Sequence, residues 1–300
     1  MIDHYTSDGA YRLDMIMPAD SPRIALLSGV RGQLRLELDC PPSIPPAYDP
    51  QAVHVSRVDN AEPGSLGRAG MQYRDLLPSR AGGRFIASHI CIPSGGPVSD
   101  YVHFHQVGFQ VIYCRRGWVR VVYEDQGPPF VMDEGDCVLQ PPTIRHRVLE
   151  ASRGLEVVEI ASPAEHPTFR DHEIELPTPS LRPDRDFGGQ QFLRHVAANA
   201  TWQNSELTGF EMRESGIGQA SRGQVHLRIL SCADAISPVA MVNADREFRL
   251  LYVLAGCLEL TGAQHGTTLL RAGDSVVLPQ HGQFSLATAG ACELLEVSSG

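Results

Sequence analysis

The chain has 300 residues and a net charge of −10, which disfavours a nucleic-acid backbone as a partner. Its 25 basic residues are all arginine, so lysine Schiff-base chemistry and a phosphate-loop lysine are excluded. A hydrophobic content of 42% with 28 glycines and 22 prolines fits a soluble, turn-rich β protein large enough for about two domains.

No run reaches the roughly 18 apolar residues of a membrane-spanning helix, and the first 20 residues lack a charged-then-apolar leader pattern. The seven cysteines are scattered and form no Cys-x-x-Cys pair, which reads as reduced thiols in a cytoplasmic protein. Arginine-only usage fits a GC-rich bacterial genome.

In chain order, residues 1–70 read as an N-terminal arm. Short strands are expected at residues 24–27 and 34–38 around a glycine turn, then a proline-rich break at 40–50 and an extended piece at 51–58. From Tyr73 to residue 165 short alternating segments recur with turn signals between them, the pattern of an antiparallel barrel or sandwich. Within this unit His103 and His105 share one strand face, because side chains alternate along a strand, and Gln110, Ile112 and Cys114 share the face of the next strand. A second motif runs from Gly135 through Pro141 to His146. Two imidazoles from one strand and a third from a neighbour can close a facial triad around a metal ion, and imidazole suits iron, nickel, copper and zinc.

Residues 166–204 read as a linker; five prolines lie between positions 163 and 189 and make a semi-rigid spacer. Residues 205–300 repeat the first unit. Gly256 follows Gly117 by 139 positions and Gly273 follows Gly135 by 138.

His103, His105, position 110, Gly117, Gly135, Pro141 and His146 match the spacing of the two cupin motifs, so the chain resembles the cupins, over roughly residues 70–165 and 205–298. Two positions depart from the pattern: Gln110 stands where the family usually has glutamate, and Thr143 where it has glycine. The resemblance implies an all-β fold of two tandem jelly-roll barrels, with one divalent metal ion in the first barrel on His103, His105, Gln110 and His146. Iron is the first expectation; zinc, nickel and manganese are alternatives. In the second barrel the matching positions are Val242, Ala244, Arg249 and Phe284, none a histidine, so it reads as a degenerate barrel kept for packing, or as a pocket with Arg249 as anion anchor.

With Gln110 neutral, the site resembles the three-histidine dioxygenases among the cupins, acting on a small oxygen-rich acid, phenolic acid or dicarbonyl compound. The alternatives are a non-redox isomerase, hydrolase or decarboxylase, and a binding protein without turnover. Tyr113 and His89 are the candidate catalytic helpers, with Tyr101 and Tyr123 nearby; Arg120, Arg145 and Arg147 read as outer-face residues, and His166, His172, His195 and His265 as surface residues. A small anionic substrate is expected, and a homodimer, or else an arm packed across both barrels.

Overall fold

A computed structural model describes residues 2–39, 47–60, 65–66, 70–243 and 246–300. The first barrel is built from two sheets. One runs Phe130–Asp133, Trp118–Tyr123, His146–Ala151, His103–His105 and Thr168–Arg170, and then continues into the arm through Tyr11–Met17, Ile24–Gly29 and Gly32–Glu37. The other runs Leu193–His195, Cys137–Gln140, Phe109–Arg116, Leu155–Ser162, Ile86–Ile92, Gln72–Asp75 and Ser65–Leu66. The second barrel repeats the pairing: Phe248–Ala255 lies between Cys292–Ser299 and Ser275–Val277, as Phe109–Arg116 lies between Leu155–Ser162 and Cys137–Gln140.

The sheets that contain Phe109–Arg116 and Phe248–Ala255 pack face to face. Phe109, Val111 and Tyr113 alternate outward from the first barrel into a shared core with Phe248, Leu250 and Tyr252 of the second. Phe85 stacks on Phe248 at 4.6 Å between ring centroids. Each fully buried side chain of this size contributes about 1.5–3 kcal/mol, so the barrels are bound by a core rather than by their linker.

The arm lies across both barrels. Met15 and Ile16 pair with Phe169 and Thr168 of the first, while Val55 pairs with Val276 of the second. The segment read from its prolines as a spacer is itself part of the barrel sheets, through Thr168–Arg170 and Leu193–His195. It is also fastened to the first barrel at Asp125, which accepts hydrogen bonds from Thr178, Ser180, Arg182 and Arg185. Burial raises the Asp125 carboxyl, but these donors outweigh it and hold its pKa at about 2.

A carboxyl depressed in the folded state stabilises the protein above its ordinary value and loses that contribution as pH falls through the folded value. Acid unfolding should therefore show a stability loss between about pH 4 and about pH 2 in the wild type. That loss should be smaller in Asp125→Asn, which starts out less stable at neutral pH and keeps only the share of other depressed carboxyls such as Glu156. Urea midpoints measured across that window check this, and parallel pH profiles for the two proteins would refute it.

Candidate metal centre in the first barrel

His103 and His105 leave the same face of their three-residue strand, and His146 comes from the adjoining strand, where it pairs directly with His103. All three are buried, and a ligand nitrogen from each lies within 4.8 Å of the others. This is the convergence expected from the His-x-His alternation.

Each imidazole is held from behind. His103 Nδ1 lies 2.8 Å from the Tyr101 carbonyl, His146 Nδ1 3.1 Å from the Ile144 carbonyl, and His105 Nδ1 2.9 Å from Thr168 Oγ1. A carbonyl can only accept a hydrogen bond, so Nδ1 of His103 and His146 carries hydrogen and Nε2 would be the coordinating atom. Asp100, with a fully buried side chain, backs His103 at 3.6 Å and is itself fixed by the Tyr101 and Val148 backbone N–H groups. The donor set fits a divalent ion: three neutral imidazoles, oriented in advance and shielded from water.

Thr168 is the arm's connection to this site, since the strand that carries it also pairs with Ile16. Thr168→Val should weaken divalent-metal affinity about tenfold by releasing the His105 ring, and Thr168→Ser should restore it. A competition titration with a chelating dye reads this, and unchanged affinity in Thr168→Val would count against the hydroxyl as an orienting group.

Gln110 is buried beside the triad, but its amide is engaged by neighbours. Its Nε2 donates to Glu159 at 3.0 Å, and its Oε1 accepts from Gln140 at 2.9 Å. Gln140 in turn accepts from the Tyr123 hydroxyl at 2.8 Å and has its Nε2 3.3 Å from His146 Nε2. Tyr123 also stacks on His146, with centroids 5.5 Å apart. A polar chain therefore runs from Tyr123 through Gln140 and Gln110 to Glu159.

The two expected catalytic helpers lie elsewhere. Tyr113 alternates away from Gln110 into the core between the barrels. His89 hydrogen-bonds Glu156 at 3.0 Å, and its ring faces Tyr252 of the second barrel. Neither lines the chamber above the triad. Tyr101 acts through its carbonyl. Arg145 is bound to Asp171, and Arg120 to Glu150.

His166, expected at the surface, is buried with its ring 5.4 Å from that of His105, and burial lowers its pKa. His172 is also drawn inward, 2.9 Å from the Leu13 carbonyl of the arm.

The chamber encloses about 100 Å³. Its polar end carries His105, His146, Gln110, Glu159 and His166, with Pro18, Ala19 and Asp20 of the arm alongside. Arg80 holds Asp20 at 2.5 Å.

In the second barrel the position of Gln110 is taken by Arg249 and that of Glu159 by Glu296, and these two form an ion pair at 3.4 Å. Arg228 adds a second bond to Glu296 at 3.2 Å and one to Glu206 at 2.6 Å. Arg249 is thus neutralised inside the barrel, which removes the basis for an anion anchor. The partner of Phe284 in the sheet is Met241, one residue before the position counted from Gly256; Ala244 lies outside the described residues.

No protein-family model and no curated protein sequence matches the chain. Solved structures do. Oxalate decarboxylase from Bacillus subtilis, described with Mn(II) centers, superposes with a TM-score of 0.61 at 12% identity, covering 86% of this chain and 80% of that one. A single-alanine mutant of that enzyme gives 0.61 at 14% identity, with the same coverage. The fold is that of a two-barrel cupin. Tandem jelly-roll barrels account for the internal repeat, and the cupin motifs fall on the residues that form the triad.

Proposed function

We propose that this bicupin is a divalent-metal enzyme whose first barrel carries out non-redox chemistry on an oxygen-bearing carbon skeleton, decarboxylation above all. The dioxygenase expectation rested on a neutral Gln110 and no acid beside the metal. Glu159 overturns that premise, because its carboxylate sits in the same chamber, hydrogen-bonded to Gln110. That carboxylate is the observation that carries the reading, and the fold shared with a manganese decarboxylase supports it.

His103, His105 and His146 would hold the ion, which when bound would polarise a substrate oxygen. As the bond to CO2 breaks and CO2 leaves, Glu159 would hand the substrate carbon a proton taken up from solvent, and Gln110 would fix the direction of its carboxyl group. The apolar walls keep bulk water from competing for that proton.

The test is a paired measurement on protein loaded with Mn(II) or Fe(II) and offered β-keto, 2-oxo and phenolic acids. The expected result is CO2 release without stoichiometric O2 uptake. One O2 consumed per turnover would restore the dioxygenase.

A further inference from the structure

We propose that the chamber selects a singly charged substrate with a hydrocarbon body: an anionic oxygen head at the triad, and about four to six carbons lying against the apolar walls. This inference rests on the metal-centre reading above and adds the substrate's class.

The shape of the chamber argues for the body. Beyond its polar end it is walled by Met71, Ile90, Ile92, Val119, Val121 and Leu155. Protein interiors are normally close-packed, so a space of about 100 Å³ among such side chains is available to a ligand. Aliphatic cavities of ~150 Å³ stay dry and take a benzene-sized guest. Tyr73 and Ser88 also stand in this wall, but the Tyr73 hydroxyl donates to the Met71 sulfur, so water finds few hydrogen bonds at this end.

Charge argues for a single negative head. The charged groups of the lining are both acids, Asp20 and Glu159, and no arginine lines the space. Asp20 is offset by Arg80. With no arginine in the lining, the ion would be the cationic partner of the head. A dianion such as oxalate would lack a second cationic partner and would leave the hydrocarbon wall bare.

The experiment is isothermal titration of the full chain, loaded to one manganese per chain by elemental analysis, with acetate, butyrate, hexanoate, isovalerate, benzoate and oxalate. Affinity is expected to rise about fourfold for each methylene that enters the chamber, since each is worth about 0.8 kcal/mol. Hexanoate should then bind at least ~30-fold tighter than acetate, and oxalate no tighter than acetate. Val119→Phe, which fills part of the wall, should cut the hexanoate-to-acetate ratio at least ~10-fold; the wild-type series decides the matter if that variant does not fold. Tightest binding by oxalate, or equal affinity along the series, would overturn the proposal and leave the metal centre standing. Failure to take up manganese would overturn both.

Discussion

Changing His103 and His105 together to alanine should take the metal content of the purified protein from one divalent ion per chain to none. Two of the three donors vanish, and the one left, His146, is a single neutral nitrogen. Among the described residues no other group of three or more His, Cys, Asp or Glu side chains converges in this way, so none of them offers a second site that would mask the loss. Wild type should gain stability from added metal, about 2.7 kcal/mol when the free ion exceeds its dissociation constant a hundredfold. The double variant should gain nothing, and its circular dichroism should stay that of a β protein, because the core between the barrels does not involve the triad. Elemental analysis and melting curves with and without metal read both effects. One equivalent of metal retained in the double variant would mean that the triad is not the site.

How far the sequence led depended on whether a feature is local. The turns that define the repeat are local. A Cβ on Gly117 would come within 2.2 Å of Ser152 Oγ, and one on Gly256 within 2.2 Å of the Ala291 carbonyl, so both positions require glycine. Where the cupin pattern has glycine two residues after the proline, Thr143 keeps a positive φ of 63° and its counterpart His281 one of 60°. The turn survives without its usual residue, and its motif spacing survives with it. Alternation is also local, and it correctly put His103 with His105. The same rule sets Tyr113 opposite Gln110, so its distance from the chamber was readable from parity alone.

Pairing between distant strands was not readable. Two glutamates of Leu155–Ser162, Glu156 and Glu159, are three apart and face opposite sides, but only the register against Gln110 shows which one enters the chamber. Thr168 and His166 lie among prolines that suggest a spacer. Their role depends on the pairing of Thr168–Arg170 with the His103–His105 strand, a contact some 60 residues away in sequence. The arm's strands are likewise defined by partners in the barrels.

Glu159→Gln should leave the metal in place and remove most of the turnover. The substitution is nearly isosteric, and a glutamine oxygen at 159 can still accept from the Gln110 amide, so the polar chain from Tyr123 persists and stability should change by no more than about 1 kcal/mol. Glu159 is not one of the three converging donors, so manganese content should hold at one per chain. What disappears is the ability to exchange a proton, and positioned acid–base groups commonly contribute 10²–10⁴-fold to rate. A fall of that size in kcat, with the binding of a non-reacting carboxylate unchanged, would mark Glu159 as the proton-transfer group. The pH profile supplies the readout that a packing role would not move: the limb set by this carboxyl in the wild type should be missing from the variant. If turnover stays within threefold of wild type and the profile keeps both limbs, proton transfer belongs to another group. The chamber's remaining titratable candidate beside the triad is then His166.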